Sequence, residues 1–328
     1  MIGFCLAAGA GTRLLPVTRT LPKPLLAPAG RALVDLAVEA LETAGATRVV
    51  VNAHHGAELL VDELAGWDAV EVVVEPRLLG TGGGLVNVAR LGLLGDGDDP
   101  VLVTAADHVV DPADLVALGG FLERSGAPMV AGLVQAGPGA FGLRLEGADG
   151  GRVARDPAGP WDSAGAYAVR AGLLCDLEPG PASLVERVLG PLLARGRLAG
   201  LPFRGAAADA GTLHRLLDVS AGLLTGRWPY ALPAGEVRAG VGTAPVFVAE
   251  GAEADPAAVL AGPALLDAGS RVGAGAVVTR AVVGPAAVVG PGARVIGSLL
   301  APAARVAPGA TATAALVPGP ERGGDPAG

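Results

Sequence analysis

Met1–Leu26 reads M-I-G-F-C-L-A-A-G-A-G-T-R-L-L-P-V-T-R-T-L-P-K-P-L-L. Ile2 to Ala7 is a short apolar run that suits a buried strand. Gly9 and Gly11 end it. Lacking Cβ atoms, they let backbone N–H groups come close to a phosphate. Arg13 follows with a planar fork of donors that matches phosphate oxygens. Lys23 stands between Pro22 and Pro24, which hold it extended. It is the only lysine; every other one of the 24 basic residues is arginine. In a chain so biased, a single lysine marks a place for a compact point charge. Walker A, G-x-x-x-x-G-K-[ST], does not occur. The dinucleotide motif G-x-G-x-x-G fails too, because Leu14 stands where its third glycine belongs.

Outward from this stretch, strands and helices alternate. Arg31–Ala44 carries Leu33, Leu36, Ala37, Ala40 and Leu41 at helical spacing, with Gly45 as a stop. Arg48–Asn52 reads as a strand, His54–Leu64 as a helix and Val70–Val74 as a strand. Glu75–Gly84 reads as a glycine-rich loop, Leu85–Leu91 as a helix and Pro100–Ala105 as a strand. This predicts an α/β fold with a doubly wound, Rossmann-like mixed sheet, mostly parallel. Ligands then lie beyond the carboxyl ends of the strands. Gly11, Asn52, Gly80–Gly82 and Asp107 all follow expected strands. Met129–Val134, Phe141–Leu145, Gly151–Arg155 and Ala164–Val169 give a β-rich insertion. Helical patterns return at Ser183–Leu193 and Thr212–Leu224.

Residues 1–225 thus form one domain, and the Pro- and Gly-bearing stretch 226–243 reads as a linker. Residues 244–317 repeat with a period of 17: V-G-A-G-A at Val272, V-G-P-G-A at Val289 and V-A-P-G-A at Val306. Aliphatics that point inward and Gly or Pro corners, three short faces to a coil, describe a parallel β-helix. Residues 318–328 are expected to be disordered.

A length of 328 residues allows about two domains. A net charge of −8 argues against nucleic acid or an anionic membrane as partner. An anionic substrate must then be held by local cations, and Arg13, Arg19, Lys23 and Arg31 cluster suitably. Cys5 and Cys175 make neither a disulfide framework nor a zinc pattern. No carboxylate or cysteine at ligand spacing turns His54 and His55 into a metal site, so a solvent-facing helix start is expected there. No signal-peptide layout and no apolar run of transmembrane length are found, so a cytoplasmic protein is expected. No histidine follows His214, which argues against an acyltransferase in the repeat.

L-A-A-G-A-G-T-R-L-L-P-V-T followed by L-P-K-P-L-L resembles the signature of the sugar-1-phosphate nucleotidyltransferases. The resemblance implies that an NTP and a sugar 1-phosphate give an NDP-sugar and pyrophosphate. Leu6, Ala7, Ala8, Gly9, Gly11, Thr12 and Arg13 would line the nucleotide. Glu75, Gly80, Thr81 and Gly82, in E-P-R-L-L-G-T-G-G-G, would read base and ribose. Asp107, in V-L-V-T-A-A-D-H, and Asp209, in F-R-G-A-A-A-D-A-G-T, would bind substrate and hold Mg²⁺. Gly142 would face the sugar. Arg13, Lys23 and Asp107 would carry the catalysis.

Three positions depart from the pattern: Ala106 for a glycine, Ala207 for an aromatic residue, and no lysine in G-R-V-A-R-D-P-A-G-P. Arg152 or Arg155 is left to take that lysine's place. The family also implies a left-handed coil for the repeat and a homo-oligomer. GTP with mannose 1-phosphate is the first expectation, and dTTP or UTP with another sugar 1-phosphate the second. The other class is a silent regulatory subunit that binds NDP-sugar.

Overall fold

The computed structural model describes residues 1–137, 139–242 and 244–320. They fall into two compact units: Met1–Gly9 with Val34–Ala208, and Ala10–Leu33 with the chain from Asp209 onward.

The elements run β1 (Ile2–Leu6), α1 (Leu33–Thr43), β2 (Arg48–Ala53), α2 (Ala57–Leu64), β3 (Val70–Val74), α3 (Gly80–Arg90), β4 (Pro100–Ala105), β5 (His108–Val110), α4 (Pro112–Ser125) and β6 (Met129–Gln135). There follow β7 (Leu143–Leu145), β8 (Gly151–Arg155), β9 (Trp161–Arg170), α5 (Ala171–Cys175), α6 (Gly190–Ala194), β10 (Leu198–Pro202), β11 (Ala207–Asp209) and α7 (Leu213–Leu224).

In the first unit, nine strands form one sheet in the order β3-β2-β1-β4-β9-β6-β10-β8-β7. The half built by strand–helix alternation, β3-β2-β1-β4, is parallel throughout. The β-rich insertion makes the rest mixed: β9 runs antiparallel to both β4 and β6. Phe4, Val50, Val101 and Val103 share one core with Leu85 and Val88 of α3. Valine-rich strands suit this sheet because both faces of its centre are buried.

Local departures from the sequence reading have local causes. Helix α2 starts at Ala57, not His54, because Gly56 caps it in the left-handed region (φ 60°). His54 is half-buried rather than solvent-facing, and its Nδ1–H donates to Glu75 O at 2.9 Å. Helix α4 was not expected. Its ends carry ordinary signals: the Asp111 side chain accepts from Ala113 N–H, Pro112 follows, and Gly126 closes it at φ 64°. Gly119 and Gly120 within it blur the apolar period. The expected helix Ser183–Leu193 is a π-turn, Val185–Leu189, followed by α6. Pro191, which lacks an N–H, cannot continue the α ladder there.

The second unit contains the repeat. Leu265 pairs with Val282, Val282 with Leu299 and Leu299 with Leu316, each 17 residues on. The first coil holds one residue more, Val246 pairing with Ala264. Val246, Leu266, Val272, Val278, Val289, Val295 and Val306 point inward into one core.

The outward rows differ by face. On one face Glu253, Arg271 and Arg305 are exposed, and on another Val259, Arg294 and Thr311. On the third, Phe247, Leu265, Val282 and Leu299 alternate with the inner core yet are buried. Helix α7 packs against the first strands of this third face. Trp228 is buried so tightly over Gly222 that no Cβ could stand there.

Within the stretch read as a linker, β12 (Gly235–Ala239) pairs antiparallel with β13 (Pro245–Ala249). Thr243 and residues 321–328 of the expected tail lie outside the described residues. Among the described residues no helix is long and apolar enough to cross a membrane.

Asp267 offers a test of packing in this unit. It is buried, and that burial raises its carboxyl above the ordinary range, partly offset by the Ala268 N–H it accepts. A raised folded pKa means the folded state holds the proton more tightly. Stability therefore falls as pH rises from the unfolded pKa through the folded one. Asp267→Asn keeps the acceptor and removes the charge. The variant is expected to melt higher than the parent near pH 7 and level with it near pH 3, the pH of a protonated carboxylate. Calorimetry at both pH values checks this; no gain near pH 7 would refute it.

Candidate active site

In the first unit, a buried chain of hydrogen bonds ties three strand ends together. Ala7 N–H donates to Asn52 Oδ1 at 2.8 Å, and Asn52 Nδ2 donates to Glu75 Oε1 at 2.7 Å. Leu79 N–H donates to Glu75 Oε2 at 3.1 Å. Asn52 and Glu75 are each only 1 % exposed. Parallel pairing brings them into reach: Leu6 lies opposite Asn52, and Ala53 opposite Val74. Both Glu75 oxygens are thus spent inside the protein. What that carboxylate does here is hold the start of α3 to the end of β1.

The glycines after Glu75 are not a flexible loop. Gly80–Gly84 forms the first turns of α3. Gly82 and Gly83 both donate to Ala182 O at 3.0 Å, and Thr81 Oγ1 accepts from Leu184 N–H at 2.8 Å. A Cβ on Gly83 would stand 2.5 Å from Gly180 O. One on Gly84 would stand 2.5 Å from Asn52 Nδ2 and 2.6 Å from Glu75 Oε1. Glycine is required here for close approach, not for flexibility.

Asp107 sits where β4 ends. Ala106 N–H donates to Leu6 O at 2.9 Å, which fixes the turn beside β1. His108 Nδ1–H donates to Asp107 Oδ1 at 2.8 Å, and the two side chains are about a quarter exposed. Burial, and then the Asp107 charge, push the Cys5 thiol far up, so it stays protonated and unreactive.

In the insertion, Gly142 takes φ 76°, and a Cβ there would meet Asp156 O at 2.5 Å. Arg155 lies 3.9 Å over the Phe141 ring and donates to Gly142 O at 2.7 Å. Arg152 spends its fork on Glu146, at 2.9 and 3.1 Å. Of the two arginines, Arg155 is the one held against Gly142.

In the second unit, Gly11 takes φ 63°, and Thr18 Oγ1 donates to its carbonyl at 2.9 Å. A Cβ on Gly11 would stand 3.1 Å from Lys23 Cβ, so the signature loop folds back onto its lysine. Lys23 is buried, whereas Thr12 and Arg13 are exposed. A Cβ on Gly211 would stand 2.7 Å from both Arg13 Nη2 and Asp209 Oδ1, so those groups are neighbours. Asp209 Oδ1 accepts from Gly211 N–H at 3.0 Å, and Oδ2 pairs with Arg215. The sequence reading missed Arg215; its only signal is its place in the first turn of α7, after the Thr212 cap.

Asp107 and Asp209 are hard oxygen donors, the kind Mg²⁺ takes alongside water and substrate phosphates. Among the described residues no group of three or more His, Cys, Asp or Glu gathers into a closed cage. Asp209 is paired with Arg215, and Asp107 accepts from His108.

A glycine turn after the first strand of a Rossmann-like sheet, flanked by two cations, defines a nucleotide-handling α/β protein. The nucleotidyl transferase family model matches residues 2–153. The chain is 31 % identical to the mannose-1-phosphate guanylyltransferase of Mycobacterium tuberculosis over 291 residues, 85 % of this chain and 78 % of that protein. It is 38 % identical to the N-acetylmuramate alpha-1-phosphate uridylyltransferase of Caulobacter vibrioides over 115 residues, 33 % of this chain and 46 % of that protein. The crystal structure of a UDP-glucose pyrophosphorylase complexed with UDP-glucose superposes with a TM-score of 0.57 at 18 % identity, covering 68 % of this chain and 98 % of that one. That likeness shows the fold. The chain belongs to the nucleotidyl transferase family and is a transferase. Nucleotidyltransferases of this family generally use a divalent metal.

Proposed function

We propose that this enzyme joins an NTP to a sugar 1-phosphate, giving an NDP-sugar and releasing pyrophosphate. GTP with mannose 1-phosphate is the first assignment, supported by the relative aligned over 85 % of the chain. UTP or dTTP with another sugar 1-phosphate is second, supported by the shorter uridylyltransferase match. The observation that carries the reading is the signature loop itself, with left-handed Gly11 folded over Lys23 and Arg13 left exposed.

A sugar-phosphate oxygen attacks the α-phosphorus; that P–O bond forms as the α–β bridge breaks and pyrophosphate leaves. The nucleophile is already an anion, so no general base is needed. The protein must supply alignment and positive charge. Ala8, Gly9, Gly11 and Thr12 offer backbone to the nucleotide, with Leu6 and Ala7 fixing the start of the loop, while Arg13 and Lys23 neutralise its phosphates. Gly80, Thr81 and Gly82 border base and ribose. Glu75 acts by holding α3 in place. Gly142 borders the sugar, with Arg155 standing in for the family lysine. Mg²⁺, held through Asp107, would neutralise charge at the transferring phosphate. A cytoplasmic homo-oligomer completes the proposal.

Lys23→Arg is the direct test. A fork cannot replace a point charge at close range, and Lys23 has little room for more atoms. Turnover is expected to fall at least about tenfold, with the fold retained. Steady-state pyrophosphate release reads this; unchanged turnover would remove Lys23 from the mechanism.

A further inference from the structure

We propose that His108 is a positioning residue that fixes the Asp107 carboxylate for a divalent cation. This rests on the reading of Asp107 as a metal ligand. The chemistry is visible in the first unit alone. His108 Nδ1–H donates to Asp107 Oδ1 at 2.8 Å. A carboxylate otherwise turns readily about its last torsion. One strong hydrogen bond to one oxygen sets the plane of both.

The ring is itself held. It lies on the backbone of Gly165 in β9, where a Cβ would stand 2.6 Å from ring atoms Cγ and Nε2. Gly165 takes φ 73°, a conformation that L side chains rarely adopt. Here β9 departs from regular pairing. Its register with β6 slips between Ala131 and Leu133, whose partners are Tyr167 and Ser163. The Gly165 N–H turns onto Ser163 Oγ at 3.1 Å, and that hydroxyl donates to Tyr167 Oη at 2.7 Å. The irregularity removes a side chain from where the imidazole sits. Bulges that re-aim a side chain in this way recur beside active sites. S-A-G-A-Y in β9 therefore builds the seat, A-D-H after β4 places the ring in it, and the ring's proton aims the carboxylate.

The test titrates Mn²⁺ into the full chain saturated with an α,β-methylene analogue of GTP and follows free Mn²⁺ by electron paramagnetic resonance. No turnover is involved. His108→Phe keeps a ring and loses the donor; Mn²⁺ affinity is expected to fall about 10- to 100-fold, the usual cost of losing an outer-shell partner. His108→Asn returns a donor to that position and should recover most of the loss. Thermal midpoints identify any variant that has lost its fold. Asp107→Asn should weaken Mn²⁺ at least as much as His108→Phe. If Asp107→Asn binds weakly while folded His108→Phe binds like the parent, the positioning role fails and the metal reading stands. Equal losses in His108→Phe and His108→Asn would trace the effect to ring packing and also overturn the proposal. Parent-like affinity in Asp107→Asn would overturn both.

Discussion

A chain ending at Gly226 is expected to lose cooperative folding and to release no pyrophosphate. The cut removes Trp228, which is buried over Gly222 of α7, and Tyr230, which is also buried. It also removes Phe247, Leu265, Val282 and Leu299, the apolar row on the outer face of the β-helix. The loop between the signature and α1 loses its supports, since Arg31 donates to Ala231 O at 3.4 Å and Gly30 packs on Pro233. Each large apolar side chain returned to water costs about 1.5–3 kcal/mol. Helix α7 loses its packing against β13 and the strand Ala264–Leu266, and uncovering three or four of its buried leucines and valines reaches the net stability of an ordinary domain, about 5–15 kcal/mol. The loop that loses support follows directly on the stretch that carries Arg13 and Lys23. Native mass, thermal unfolding and pyrophosphate release together read the outcome. A folded, active truncation would contradict this expectation.

Gly84→Ala is expected to destabilise the protein by about 3 kcal/mol or more and to depress activity with it. The added methyl would stand 2.5 Å from Asn52 Nδ2 and 2.6 Å from Glu75 Oε1. Neither group can retreat cheaply, because Asn52 is pinned by Ala7 N–H and Glu75 by Leu79 N–H. Overpacking a tight interior costs about 1–3 kcal/mol. Breaking a buried hydrogen bond to a charged group adds about 1.5–3 kcal/mol. Since Ala7 follows β1 and leads into the loop proposed to hold the nucleotide, binding is expected to weaken as well. Denaturant midpoints measure the first effect and kcat/KM the second. Parental stability in the Gly84→Ala variant would mean that the network relaxes freely.

The parallel half of the sheet was legible because its signals are local. Val70–Val74 and Pro100–Ala105 are short valine-rich runs, and Gly11 and Gly45 break the chain where it turns. The repeat was legible through its strict period. What the sequence hid is what depends on distant partners. Gly80–Gly84 looks like a loop until Ala182, Asn52 and Glu75 close around it. Phe247 and Leu265 look like inward residues of a coil, and only alternation along the strand shows that they face out. Asn52 was visible at the end of an expected strand, but its bond to Ala7 spans 45 residues of sequence. His108 looked like an ordinary neighbour of a site residue, because its seat on Gly165 lies in a separate strand.

Pyrophosphate release from a panel of GTP, UTP and dTTP, each with several sugar 1-phosphates and Mg²⁺, tests the central claim most directly. Rapid release is expected with one pair, GTP and mannose 1-phosphate first. That release is expected to be lost in Lys23→Arg and Asp107→Asn. Folded protein that releases pyrophosphate with none of the pairs, or with equal rates in the parent and both variants, would contradict it.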